Sequence, residues 1–204
     1  MTPTASTTVA EIRKARVHDA PRIASTLARA FFDDPVFRWA YPDDARRREV
    51  LPGVFSVFTE GFQRHDEIYL AGQSAGVALW APPGQAPVDD EHADEFNRRL
   101  ERAAGADGER FFKLAELVDD HHPHGSYYYL QLLGVEPESQ GRGIGSALLD
   151  DMIARCDRDG LRAYLDATSP ANKRLYERHG FRATGEFAPD GGPPLWPMWR
   201  EPGA

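Results

Sequence analysis

The 204-residue chain has a single cysteine, Cys156. An internal disulfide is thereby excluded, as is a zinc site built on cysteines, and the composition fits a reducing compartment. No apolar stretch approaches the roughly 20 residues that a membrane-spanning helix needs. The first ten residues have neither a basic n-region nor an apolar run, so no secretory signal is expected and a cytoplasmic protein is. Positive charge is also scarce: 24 Lys and Arg face 32 Asp and Glu, a formal net charge of -8. That balance supplies no basic face, so neither nucleic acid nor membrane is an expected partner. Hydrophobic residues make up 41% of the chain, enough for one sizeable core. Residues 11–204 are expected to form one domain behind a flexible tail at 1–10, and no internal repeat is visible.

What is present reads as alternating elements. Residues 11–17 suit a strand. His18 and Asp19 are placed to cap a helix with Pro21 in its first turn, an apolar face at Ile23, Leu27, Ala30 and Phe31, and a stop at Asp34-Pro35. A second helix begins near Asp43, with Val50, Leu51, Val54, Phe55, Phe58 and Phe62 as its buried stripe and a kink or break expected at Pro52. Ile68–Ala71 and Ala75–Trp80 read as a hairpin across Gly72-Gln73-Ser74. Residues 82–125 form a helical excursion, helical at 95–102 and 110–119 and too short for a core of its own. Tyr127–Val135 is a strand, Gly143–Asp159 an amphipathic helix, Ala163–Ala167 a strand and Ala171–His179 a short helix. Phe181–Phe187 and Leu195–Trp199 are expected to pair across Pro189–Pro194. The class is mixed α/β.

The chemistry concentrates in Val135-Glu136-Pro137-Glu138-Ser139-Gln140-Gly141-Arg142-Gly143-Ile144-Gly145-Ser146. A strand ends, a loop follows, and a glycine-rich turn opens a helix. Glycines let backbone approach a ligand, and the first helical turn offers free N–H groups and partial positive charge, which together suit a pyrophosphate. A dinucleotide site is the rival reading, with Asp166 as the ribose-binding acid. Against it, the loop from Val135 to Gly141 is long, and only 38 residues follow Asp166.

Gln140-Gly141-Arg142-Gly143-Ile144-Gly145 resembles the [Q/R]-x-x-G-x-[G/A] motif of the GNAT acetyltransferases. Asn172 through Phe181, with Tyr176 and Gly180, resembles that superfamily's N-x-x-x-Y-x-x-x-G-F element at the expected distance. Within the superfamily the likeness extends to the puromycin N-acetyltransferase group, through Ala30–Pro35, Val77–Trp80, Gly134–Pro137 and the tail Met198–Ala204. The resemblance implies the GNAT fold, a mixed and mostly antiparallel twisted sheet flanked by helices in a single α+β domain. It also implies transfer of acetyl from acetyl-CoA to an amine by direct attack in a ternary complex. The implied acceptor is a small molecule such as an antibiotic or xenobiotic. A peptide or protein acetyltransferase and a non-catalytic acyl-CoA sensor are the alternatives. A homodimer is compatible with the resemblance.

The resemblance further implies that backbone groups of Leu133, Gly134 and Val135 bind the pantetheine arm like an added strand. Gln140, Gly141, Arg142, Gly143, Ile144, Gly145 and Ser146 would hold the pyrophosphate. Asn172 would contact the cofactor or, alternatively, cap its helix. Tyr176 would protonate the departing thiolate. Many relatives carry a basic carboxylate on the strand before the glycine loop. Tyr127–Leu133 has none, only Gln131, which leaves Asp33, Asp34 and Asp166 as candidate bases. Phe31, Phe32, Tyr41 and Trp80 are candidate acceptor-pocket aromatics, with Asp34 and Gln131 beside them. In Asp120-His121-His122-Pro123-His124, Pro123 breaks any helical ligand spacing, so a polar loop rather than a metal site is expected, and His179 is expected to close a helix.

Overall fold

The computed structural model describes residues 11–85, 88 and 90–204, so the expected tail at 1–10 lies outside the described residues. Seven strands make one sheet. They are β1 (Ile12–Lys14), β2 (Ile68–Ala71), β3 (Gly76–Ala81), β4 (Tyr127–Val135), β5 (Arg162–Ala167), β6 (Arg182–Ala183) and β7 (Trp196–Arg200), in the order β1-β2-β3-β4-β5-β7-β6. Every neighbouring pair is antiparallel except β4 with β5. The helices are α1 (Ala20–Ala30), α2 (Pro35–Ala40), α3 (Asp44–Gln63), α4 (Asp90–Ala104), α5 (Glu109–His121), α6 (Ile144–Asp159) and α7 (Pro170–Glu177).

Strand alternation divides the core in two. Val77 and Leu79 of β3, Tyr127 and Tyr129 of β4 and Tyr164 of β5 face the layer built by α1, α3 and parts of α2, α4 and α5. Ala78 and Trp80, Tyr128 and Leu130, and Ala163 and Leu165 face α6 and α7, through Leu148, Leu149, Met152 and Tyr176. Each fully buried leucine or phenylalanine side chain contributes roughly 1.5–3 kcal/mol. Among the described residues no helix is long and apolar enough to cross a membrane.

Several local expectations need correction. Asp19 does not bond the end of α1. Its carboxylate takes the Arg13 guanidinium at 2.8 and 2.9 Å and the Arg16 backbone N–H at 2.8 Å, closing a short turn instead. Helix α3 runs through Pro52 as one 20-residue element. The proline removes one internal hydrogen bond, and burial of Leu51, Val54 and Phe55 on the helix's inner face outweighs that loss. Asp34 ends no helix: it caps α2, accepting from Val36 N at 2.9 Å. The last strands do pair, but β6 is two residues long and Phe187 meets Leu195 only as an isolated bridge.

Two anchors fix the elements that carry the glycine-rich turn. Arg200 of β7, nearly buried, grips the Asp157 carboxylate of α6 at 2.6 and 2.9 Å and the His179 carbonyl at 2.9 Å. At the other end of α6, Gly76 of β3 lies so close that an added Cβ would sit 2.7 Å from Ile144 Cγ2 and 2.9 Å from Leu148 Cδ1. Gly76→Val therefore forces the first turn of α6 off the sheet. The expected loss is about 1–3 kcal/mol of stability, read from a urea denaturation midpoint.

Candidate active site

The parallel pairing of β4 with β5 ends early. Tyr127, Tyr128 and Tyr129 match Arg162, Ala163 and Tyr164, and beyond them the strands separate. Between its Leu132–Leu79 and Leu130–Trp80 pairs with β3, β4 carries one extra residue, Gln131, a β-bulge that bends the strand at this point. Past the bulge, Glu136 N donates to Ala75 O at 2.9 Å. Alternation then turns the backbone groups of Gly134 toward β3 and those of Leu133 and Val135 toward the gap. The gap is a sheet edge inside the protein, with main-chain donors and acceptors left for a ligand.

A cavity of about 340 Å³ fills one end of the gap, lined by Leu133, Gly134, Val135, the turn at 139–146, and Asn172 and Tyr176 of α7. Gly141 and Gly143 have φ of 72° and 79°, a left-handed backbone that glycine adopts without strain, and nothing lies within 4 Å of where their Cβ atoms would be. The open cradle and the unpaired N–H groups at the start of α6 fit an anionic pyrophosphate. Gln140 Nε2 donates to Val135 O at 3.1 Å and closes the loop on the strand. Arg29 of α1 holds Glu136 at 2.5 and 2.8 Å, fixing the strand end. Close packing of α1 on Gly134, where a Cβ would meet Ala30 and Leu27 at 3.0 Å, forms the cavity's wall.

A second cavity of about 150 Å³ opens from the first, and the two share Phe31, Leu133, Asn172 and Tyr176. Its other walls are largely apolar: Val36 and Phe37 of α2, Phe55 and Phe58 of α3, Phe111, Leu114 and Val118 of α5, and Leu195. Polar groups are few. Asp166 of β5 receives the Tyr164 hydroxyl at 2.7 Å on Oδ1, while its Oδ2 is sealed from solvent without a hydrogen-bond partner. Burial raises this carboxyl to about 6. Asp34, which lines the larger cavity, also rises to about 6 through burial, although Thr168 Oγ1 donates to it at 2.6 Å. Asn172 Nδ2 in turn donates to Thr168 Oγ1 at 3.4 Å. The Tyr176 phenol is shifted upward by burial and by the nearby Asp34 charge, so it stays protonated.

The two cavities gather most residues singled out in the sequence. Leu133, Gly134, Val135, Gln140, Gly141, Gly143, Ile144, Gly145, Ser146, Asn172 and Tyr176 line the larger one, and Phe31 and Gln131 line the smaller. Arg142 is exposed and outside both linings, whereas Arg178, unremarked in the sequence, stands at the rim of the larger. Asn172 is no cap: Ser169 accepts from its backbone N–H at 3.2 Å and caps α7. Trp80 and Tyr41 line neither of these two cavities. Trp80 points to the α6 side of the sheet and is fully buried there, and Tyr41 is packed beneath α5 with its hydroxyl on Ala104 O at 3.3 Å. Phe32 stacks on the Arg47 and Arg48 guanidinium groups, away from both cavities, and Asp33 is exposed.

Two histidines of the run pack against the protein. His121 Nδ1 pairs with Leu117 O at 2.8 Å while its ring stacks on Phe187, and His122 packs on Tyr129 and Tyr164. His179 closes α7 as expected, through Leu175 O at 2.8 Å. Phe37, Phe111, Leu114, Val118 and Thr168 were missed as site residues. Helical periodicity marks such apolar positions as buried and cannot say whether they bury against protein or against a cavity.

The family model described as "Acetyltransferase (GNAT) domain" matches residues 107–183. An uncharacterised N-acetyltransferase of Schizosaccharomyces pombe is 26% identical over 183 residues, 83% of this chain and 73% of that protein. A solved structure from Corynebacterium glutamicum, described as histone acetyltransferase HPA2 and related acetyltransferase, superposes with a TM-score of 0.67 at 29% identity, covering 97% of this chain and 98% of that one. The arylalkylamine N-acetyltransferase 2 of Aedes aegypti has a TM-score of 0.64 at 16% identity, over 94% of this chain and 98% of its own, a likeness of fold.

Asp34 supplies a test of the site's electrostatics. Its carboxyl stands at about 6 in the folded protein against the ordinary 3.8. Ionisation therefore costs the folded state up to about 3 kcal/mol, absent below pH 4, growing between pH 4 and 6 and complete above. Asp34→Asn keeps a side-chain oxygen for Val36 N and removes the charge. Denaturation midpoints measured from pH 4 to 8 should coincide with wild type at pH 4 and exceed it at pH 8.

Proposed function

We propose that this chain, an acetyl-CoA-dependent N-acetyltransferase with the GNAT fold, takes a small-molecule amine as its acceptor and acetylates it by direct attack in a ternary complex. The observation that carries this reading is the meeting of two cavities, one with a glycine cradle and a smaller, largely apolar one, at Leu133 and Tyr176. The pantetheine arm lies along Leu133 and Val135 as a further strand, and the pyrophosphate rests on the turn from Gln140 to Ser146. That placement brings the thioester to the junction. An amine in the smaller cavity attacks the carbonyl carbon, and main-chain N–H groups of β4 at Leu133 face the oxyanion that forms. The C–S bond then breaks, and the Tyr176 phenol gives its proton to the sulfur.

The smaller cavity favours small molecules over polypeptides. Its roof comes from α2 and from α5, which belongs to the 82–125 excursion, and its volume is about 150 Å³. A lysine or chain terminus needs an open groove instead. The likeness to the puromycin N-acetyltransferase group keeps antibiotic amines among the candidates, but the volume favours smaller ones.

The deciding assay is CoA thiol release from acetyl-CoA across aryl-alkyl amines, polyamines, amino acids, puromycin and short peptides. Cys156 is buried with its thiol pushed up to about 11, so the native protein adds little background. Acceptor-dependent release with small amines is expected, whereas release with peptides alone overturns the reading. Tyr176→Phe should lower kcat by about 10²–10⁴-fold and leave acetyl-CoA affinity within about threefold. A binding module would be indifferent to that change.

A further inference from the structure

Strand β4 carries no carboxylate, yet the amine must lose a proton. We propose that Asp166, on the opposite strand β5, receives the acceptor's nitrogen and takes that proton, making it the general base of the reaction. This rests on the small-amine reading above.

The placement is set by the backbone. Tyr164 is the last β5 residue paired with β4, and Asp166 lies two positions further along, on the same face. Its side chain therefore enters the widening gap on the cavity side, where it lines the smaller cavity with Tyr176 and Leu133. Asp34 is the competing carboxylate, but Val36 N and Thr168 Oγ1 occupy its two oxygens at 2.9 and 2.6 Å. Asp166 has one oxygen taken by Tyr164 and one, Oδ2, with no partner. A buried carboxylate oxygen without a donor among the described residues is costly, and turning Oδ2 into the cavity toward an ammonium group relieves that cost. The apolar walls at Phe37, Phe55, Phe111 and Leu195 offer nothing to a second charge, so the fitting acceptor has one ammonium group on an apolar body.

The protons balance. The acceptor enters as an ammonium ion, and Asp166 takes one proton and releases it to solvent. The free nitrogen attacks, the C–N bond forms and the C–S bond breaks. A second nitrogen proton goes to Asp166 while Tyr176 protonates the sulfur, and Asp166 returns a proton to the Tyr176 phenolate through solvent. The net products are amide, thiol and one proton. The titratable groups facing Asp166 are Tyr164 on its own strand, Tyr127 and Tyr129 on β4, His121 on α5 and Tyr176 on α7. The four tyrosines are all raised and stay neutral in the working range. At about 6, Asp166 is ionised at neutral pH and ready to accept.

The test uses the whole enzyme and 2-phenylethylamine, with calorimetric binding to the CoA-loaded protein at pH 8 and turnover from pH 5 to 10. Wild type should bind the amine, and Asp166→Asn should bind it at least about tenfold more weakly. The same variant should lose about 10²–10⁴-fold in kcat/KM at pH 7. That deficit should shrink as pH rises toward the amine's own pKa, where the free base arrives already deprotonated. Acetyl-CoA affinity should be unchanged, and Asp166→Glu should restore part of the activity. Tyr164→Phe removes a bond that favours the ionised carboxylate, so the acidic limb of its kcat/KM profile should move to higher pH. Failure of wild type to bind the amine overturns the proposal, as does a deficit in Asp166→Asn that is constant with pH or under threefold. Turnover of no amine in the panel counts against the small-amine reading itself, so the two failures are distinguishable.

Discussion

The separation of β4 from β5 is the constraint on which the rest depends. A parallel pair continued to its end would satisfy its own main chain and leave nothing for a ligand. Here the pairing stops after three residues, the bulge at Gln131 turns β4 away, and the main chain of Leu133 and the Val135 N–H face the gap, while Gln140 takes the Val135 carbonyl. Both cavities are consequences. The larger is the gap extended to the glycine turn, and the smaller is the gap closed over by α2, α3 and α5. Such a gap survives only because the sheet is clamped on each side of it. Gly76 and Gly134 allow α6 and α1 to close on β3 and β4, and Arg200 binds β7 to α6 on the far side.

The site's electrostatics follow from the same geometry. Two carboxyls, Asp34 and Asp166, stand in surroundings poor in water and are both raised to about 6. They differ in partners. Asp34 is fully engaged and braces Thr168, which in turn accepts from Asn172 on the helix that carries Tyr176. Asp166 is half engaged and faces apolar walls. Burial alone does not separate a structural acid from a reactive one; the count of donors on each oxygen does.

Much of this was legible in the chain. The strand Tyr127–Val135 was read with its observed bounds, since a nine-residue apolar run followed by a glycine turn leaves little choice. Glycines at 141 and 143 were read as letting the backbone approach a ligand, and nothing lies within 4 Å of where their side chains would be. Boundaries set by a single residue fared worse. Pro52 was read as a kink or break and the helix does not break there, Asp19 as a helix cap and its side chain serves Arg13 instead, and Asn172 as an alternative cap where Ser169 holds the position. Burial of the inner face carries α3 through Pro52, whereas hydrogen bonds only a few residues apart settle the other two. The aromatic residues illustrate the same limit. Trp80 and Phe31 look alike in sequence, but alternation along β3 sends Trp80 to the α6 face while the end of α1 delivers Phe31 to the junction of the two cavities.

The sequence by itself determined the order of elements, the glycine cradle and the tyrosine of α7, because each rests on short-range periodicity, backbone freedom or a compact motif. Only the tertiary structure decided that β5 stands opposite β4 with Asp166 turned into the gap, and that three helices distant in sequence close over it. Those facts depend on strand register and packing between residues far apart in the chain. Hydrophobic pattern records that a side chain is buried, and the folded geometry alone says what it is buried against.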